Sequence, residues 1–146
     1  MEVEIKLDSS YTETKVVIYT NNITEEITQL AKKLTGNIAK IIVGYDDNIM
    51  TVLEESEIIR VFAENGKVFA VTENGKYMLK LRLYEVEEVL DKRYFVRISK
   101  SEIINLKRVK NFDLSITGTI CVKLSDNSVT YVSRRYVNKI KCVLGI

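Results

Sequence analysis

Two stretches of the chain carry the residue types that could do chemistry. Tyr94-Phe-Val-Arg-Ile-Ser-Lys-Ser-Glu-Ile-Ile-Asn105 is answered further on by Tyr131-Val-Ser-Arg-Arg-Tyr-Val-Asn138. Both interleave Arg, Lys, Ser and Asn with apolar residues in strand-like order, and neither sets a nucleophile beside a base. The chemistry on offer is capture of an anion, and two such stretches together suit an anionic polymer. Arg134 and Arg135 present planar donor forks that clamp phosphate or pair with the O6 and N7 of guanine. Two in succession at a helix start cannot both face a core. Ser133 precedes them, where the backbone N–H groups of a helix start also favour an anion. Lys100 offers a point charge to a phosphate or a base. Arg97 lies inside a strand and reads as structural. Asn105 suits hydrogen bonds to neighbouring backbone, and Tyr94, Phe95, Tyr131 and Tyr136 suit a core more than base stacking.

Absences narrow the function classes. The sequence has no His, which removes the commonest general base and the commonest zinc ligand. It has no Pro and no Trp, and the phosphate-loop, dinucleotide-binding and nucleophile-elbow patterns are missing. No enzyme activity, cofactor, metal or small-molecule substrate is expected. The formal net charge of +2 hides a strong asymmetry. Residues 1–50 come to −3 and residues 51–91 to −4, whereas residues 92–146 set twelve Lys and Arg against three Asp and Glu, +9. Such a segment is an electrostatic footprint for an anionic partner, with a solvated basic face as the bland alternative.

The elements that must position these residues follow from periodicity. The 146 residues, 46% hydrophobic, suit one compact domain with at most a small extra layer. No run of about 20 apolar residues is present, and the N-terminus alternates charge and hydrophobe unlike a signal peptide, so a cytoplasmic protein is expected. Cys121 and Cys142 are expected to be reduced. Val3, Ile5 and Leu7 mark a strand, Val16 to Tyr19 a second, and Asn22 with Glu25 a capping box opening a helix that Gly36 ends. Ile38 to Val43 reads as a third strand, Asp46-Asp47-Asn48 as a turn and Thr51 to Leu53 as a short strand. Residues 1–50 are therefore expected to form a small acidic ββαβ unit, for dimerisation or regulation.

Residues 51–146 read as mainly β with short helices. Strands are expected at Ile58 to Ala63, Val68 to Thr72 and Tyr77 to Leu81. Two copies of Glu-Asn-Gly-Lys, at residues 64–67 and 73–76, join them, and each Asn-Gly predicts a type I′ hairpin turn. Leu83 to Leu90 predicts a helix with Val86, Val89 and Leu90 inward and an acidic outer face. Phe95 to Ile98 predicts a strand, Glu102 to Asn105 a short connection, and Val109 to Ile116, Ile120 to Leu124 and Val129 to Val132 three more strands. Ser133 is placed to cap a last helix with Val137, Ile140 and Leu144 as its buried stripe.

The pattern Phe95, Arg97, Ser101, Asn105, followed by a pair of strands and then Ser133, Arg134 and Tyr136, resembles the LytTR family of DNA-binding domains found in bacterial transcriptional regulators. The resemblance spans about residues 56–146. Many members carry His near the start of the first motif, where Ser99 and Lys100 stand here. The resemblance implies an elongated arrangement of about ten strands in small antiparallel sheets. It implies sequence-specific binding of double-stranded DNA by loops that enter successive major grooves at repeated promoter sites. The binding loops map onto Asn65 and Lys67, onto Lys100 and Ser101, and onto Ser133, Arg134 and Arg135 with Asn138 one turn on. Lys139, beside Asn138, is expected to touch phosphate. The short segment ahead of the domain resembles standalone LytTR regulators, which implies a homodimer on direct repeats and a small membrane protein that restrains the regulator.

A different class stays open on the residues alone. The basic face could bind an acidic protein partner, making the chain an interaction adaptor with no DNA readout. RNA binding is the weaker reading, because no central strand carries the aromatic and glycine pattern of RNA-recognition sheets.

Overall fold

The computed structural model describes residues 1–35 and 42–146. They fall into two units, residues 1–38 and residues 39–146. In the first, α1 (Glu25–Thr35) is the one regular element among the described residues. Its first turn is capped by Thr24 and not by Asn22: the Thr24 hydroxyl accepts the Ile27 N–H at 3.3 Å. The strands expected at Val3 to Leu7 and Val16 to Tyr19 do not form, since neither has a neighbouring strand to pair with. The expected helix stop at Gly36 and the first part of the strand from Ile38 lie outside the described residues.

The second unit is mainly β, with ten strands in two antiparallel sheets. The strands are β1 (Ile42–Asp46), β2 (Ile49–Leu53), β3 (Arg60–Glu64), β4 (Lys67–Thr72), β5 (Gly75–Leu79), β6 (Phe95–Ser99), β7 (Glu102–Asn105), β8 (Val109–Asp113), β9 (Ile120–Leu124) and β10 (Val129–Val132). The larger sheet has the order β2-β1-β5-β4-β3-β7-β6, and the smaller one β10-β9-β8. Two helices complete the unit, α2 (Leu83–Val89) and α3 (Arg134–Val143). The β1–β2 hairpin belongs to this large sheet through Tyr45 opposite Met78, so the sheet runs across the sequence boundary expected after residue 50. Gly44 permits the approach: a Cβ there would lie 2.6 Å from Tyr77 Cβ.

Two cores flank the large sheet, and the period of two in β6 and β7 feeds both. Phe95 and Ile103 join Val61, Leu79, Leu83, Val86 and Leu90 under α2. Val96, Ile98 and Ile104 join Ile120, Val122, Leu124, Val132 and Ile140 under the small sheet and α3. β7 was expected to be a mere connection. It is instead a strand between β3 and β6, and all four of its residues are buried. Four residues are too few for a periodic signal, and burial on both faces removes alternation.

The two Glu-Asn-Gly-Lys copies fold differently. In the first, Glu64 pairs with Lys67, and Asn65 and Gly66 take φ of 52° and 77°, as a type I′ turn requires. In the second, Thr72 pairs with Gly75, so Glu73 and Asn74 form the loop, and Asn74 has no positive φ. The Thr72 hydroxyl accepts the Asn74 N–H at 3.1 Å, and this register sets Leu79 opposite Val68 in the core.

Candidate nucleic-acid interface

The residues singled out for anion binding gather at one end of the β3–β7–β6 strands. β6 and β7 are joined by the tight turn Lys100-Ser101, next to a register break between Arg97 and Ser99. Arg97 builds that turn. Its Nε donates to the Ser99 carbonyl at 2.9 Å, Nη2 to the Lys100 carbonyl at 2.6 Å, and Nη1 to Glu87 Oε2 at 2.8 Å. Three partners for one guanidinium fix the loop from below and leave the Lys100 side chain exposed. Ser101 is exposed as well, and its backbone N–H donates to Ser99 Oγ at 3.2 Å.

Backbone hydrogen bonds place the other two loops on either side. The Ser101 carbonyl accepts the Ala63 N–H at 2.8 Å, which sets this turn beside the β3–β4 hairpin tip of Asn65 and Lys67. The Ser133 N–H donates to the Ile98 carbonyl at 2.9 Å, which sets the start of α3 beside the end of β6. Helix α3 packs on β6, with Ile140 buried and Tyr136 and Val137 half-buried. Arg134, Arg135, Asn138 and Lys139 are left exposed on its other side. Ser133 occupies the N-cap position, but its side chain makes no capping hydrogen bond, contrary to expectation. The first backbone donors of α3 therefore lack that intramolecular acceptor.

The scaffold arginines differ from the cations near the three loops. Arg60, Arg93, Arg97 and Arg108 reach Glu102, Asp91, Glu87 and Glu73 at 2.8, 2.7, 2.8 and 3.9 Å. Among the described residues no carboxylate pairs with Lys67, Lys100, Arg134, Arg135 or Lys139. The charges on the three loops are thus uncompensated, while those within the scaffold are spent on structure. Asn105 is buried and structural: Nδ2 donates to the Ile58 carbonyl at 2.9 Å and Oδ1 accepts the Lys107 N–H at 3.0 Å. Tyr94 is covered by Lys107, whose Nζ lies 3.8 Å from the ring centre.

A fourth segment lies at this end that the sequence did not signal. Thr119 Oγ1 donates to the Val132 carbonyl at 2.7 Å, tying the β8–β9 loop to the end of β10. Gly118 lies beside Arg134: a Cβ there would be 3.7 Å from its Nε, an ordinary van der Waals contact. The loop carries neither charge nor motif, and only the fold brings it to Arg134. Shifted carboxyls sit elsewhere in the scaffold. Burial pushes Asp126 up, but the Ser128 hydroxyl and N–H, donating to Oδ1 at 2.5 and 3.0 Å, hold it below the ordinary carboxylate value. Hydrogen bonds from the Arg93 side chain and N–H lower Asp91, and those from Ser115 lower Asp113.

The family model of the LytTr DNA-binding domain matches residues 48–145. The chain belongs to the LytTR family. Two HTH-type transcriptional regulators of Staphylococcus aureus, from strains NCTC 8325 and MSSA476, are each 33% identical to it over 147 residues, covering 100% of this chain and 99% of the relative. A solved LytTr DNA-binding domain from Bacillus cereus has a TM-score of 0.70 at 21% identity, over 73% of this chain and 97% of that one, which shows the LytTR fold. Among the described residues no helix-turn-helix is found, because strands separate α1, α2 and α3. No helix among the described residues is long and apolar enough to cross a membrane.

Proposed function

We propose that this LytTR protein regulates transcription by binding double-stranded DNA sequence-specifically through three loops set into successive major grooves. The observation that carries the proposal is the gathering of Lys67 and Lys100, at adjacent turns, with Arg134, Arg135 and Lys139 of α3, all without carboxylate partners among the described residues. In this reading Arg134 and Arg135 read base edges from the start of α3. Lys100 and Ser101 contact the backbone or a base, Asn65 and Lys67 reach a flanking groove, and Ser133, Asn138 and Lys139 position the helix on phosphate. Two protomers occupy direct repeats in a promoter, residues 1–50 serve dimerisation or regulation, and a small membrane protein restrains the regulator.

Selection of bound fragments from fragmented genomic DNA tests the reading, followed by competition of the recovered site, random duplex and single-stranded RNA against one labelled probe. The recovered duplex should compete at least about a thousandfold better than random duplex. Equal competition by random duplex would remove sequence-specific readout. A chain that binds none of the three nucleic acids would favour the adaptor reading, in which the basic face meets an acidic protein.

A further inference from the structure

Residues 1–35 carry many apolar side chains and bury almost none of them. Val3, Ile5 and Leu7 are 81, 85 and 97% exposed, and Val16, Val17, Tyr19, Ile23 and Leu34 are exposed too. Among the described residues of this segment, Ile27 and Leu30 alone are even half-buried. Yet the pattern is that of a folded unit. Val3, Ile5 and Leu7 alternate with Glu2, Glu4, Lys6 and Asp8, and Ile23, Ile27, Leu30 and Leu34 recur at helical spacing. An apolar surface of this size with strand and helix periods marks an interface.

The segment Glu2 to Asp8 is complementary to itself. Side by side and antiparallel, with Ile5 opposite Ile5, two copies set Val3 opposite Leu7 and Glu4 opposite Lys6, each twice by two-fold symmetry. The neighbouring registers are worse. A half-step puts Ile5 opposite Glu4, mixing apolar and charged faces. Centring on Glu4 or on Lys6 sets like charges opposite one another at the middle of the pair. In the chosen register the one like-charge pair, Glu2 with Asp8, falls at the ends. There Asp8 leaves the strand direction, its Oδ1 accepting the Ser10 N–H and hydroxyl at 2.9 and 2.7 Å. In the single chain Lys6 Nζ lies 3.9 Å from Glu4 Oε1, both largely exposed, so each is available to a second copy.

We infer that residues 2–8 of two copies pair antiparallel about Ile5 and form the centre of a shared N-terminal core. The Val16–Tyr19 segments flank the pair as outer strands, and the apolar stripes of the two α1 helices cover one face. Four strands with a covered face are stable where an isolated two-stranded ribbon is marginal. The contact rests on the proposal of two protomers on one promoter and joins their N-terminal segments alone: its two-fold is not a symmetry of the direct repeats, and its readout is independent of DNA.

Sedimentation of the full chain without DNA tests it. The wild-type chain should be a dimer. Glu4→Lys and Lys6→Glu should each weaken the dimer about tenfold, since each turns two attractive cross-strand pairs into repulsive ones. The combined Glu4→Lys, Lys6→Glu chain should recover wild-type dimerisation. In a Cys121→Ser, Cys142→Ser background, Ile5→Cys should oxidise to a covalent dimer, whereas Glu4→Cys, which faces Lys6, should not. A monomeric wild-type chain, a double swap no better than the single ones, or equal cross-linking at positions 4 and 5 would each overturn the contact. Absence of DNA binding by a wild-type dimer would instead overturn the functional reading and leave this contact standing.

Discussion

At the scale of single residues, the structure separates arginines that build the scaffold from those offered to a ligand. Arg135 is exposed near the start of α3 with no ion-pair partner among the described residues, whereas Arg97 donates to two carbonyls and a carboxylate. Arg135→Ala should therefore cost about 1–3 kcal/mol on the cognate site and relax specificity there, while Lys139→Ala weakens cognate and random duplex alike. Binding measured on both duplexes for both variants checks this, and equal losses for Arg135→Ala would contradict base reading. Arg97→Ala should act indirectly, by releasing the Lys100-Ser101 turn. Trypsin should then cut after Lys100 faster while the circular dichroism stays unchanged. Arg97→Lys should not restore protection, because an ammonium cannot span the three acceptors in one plane. Much of this was legible beforehand: residue type and position marked Arg97 and Asn105 as structural and required at least one of Arg134 and Arg135 to face outward. The Gly118 loop was not, because its place beside Arg134 comes from the pairing of β8, β9 and β10, which no local pattern encodes.

At the scale of elements, the strands with alternating burial were legible and the doubly buried one was not. β4 alternates buried and half-buried residues and was readable as a strand; β7 is buried throughout and passed for a connection. The N-terminal strands failed for the opposite reason: the alternation at Val3 to Leu7 and the apolar run at Val16 to Tyr19 are strand-like, but neither has a neighbour to pair with. β7 also joins the two sheets. Glu102 Oε1 accepts Arg60 Nη1 at 2.8 Å, and Oε2 accepts the Thr130 hydroxyl of β10 at 2.5 Å. The Glu102 side chain is only 9% exposed, so Glu102→Ala strands Arg60 between the sheets. The loss should be about 2 kcal/mol in urea unfolding, with Glu102→Gln losing less because it keeps the acceptor for Thr130. A stability equal to wild type for Glu102→Ala would show that the small sheet docks on apolar contacts alone. The turns respond to acid. Asp91, Asp113 and Asp126 are held below their ordinary value of 3.8. Their contribution is then complete above that value and is lost as the pH falls through the lowered one. Unfolding midpoints should hold steady down to about pH 4 and drop below it. Asp126→Asn should flatten part of that drop.

At the scale of the whole molecule, charge is segregated along the chain. The acidic outer residues of α2 lie in the −4 segment, and one of them, Glu87, is tied to Arg97 beneath the β6–β7 turn. The +9 of residues 92–146 is therefore partly neutralised inside the scaffold; of the cations left, Lys100, Arg134, Arg135 and Lys139 belong to the proposed interface, and Lys92, Lys107, Lys110, Lys123 and Lys141 lie outside it. If the five interface cations Lys67, Lys100, Arg134, Arg135 and Lys139 all displaced counterions from the duplex, the logarithm of affinity would fall with the logarithm of salt at a slope of about −4.5 per protomer. Any of the five that reads a base in place of a phosphate makes the slope shallower, so about −4.5 is a ceiling for these loops. Between 50 and 200 mM salt, random-duplex affinity should then fall by up to about five-hundredfold per bound protomer. Removing Lys139 should reduce the slope by about one, whereas removing Arg93, which is committed to Asp91, should leave it unchanged. A slope near zero would mean that the loops do not lie on the phosphate backbone. A slope that Arg93→Ala flattens as much as Lys139→Ala would place the DNA on a different face of the domain.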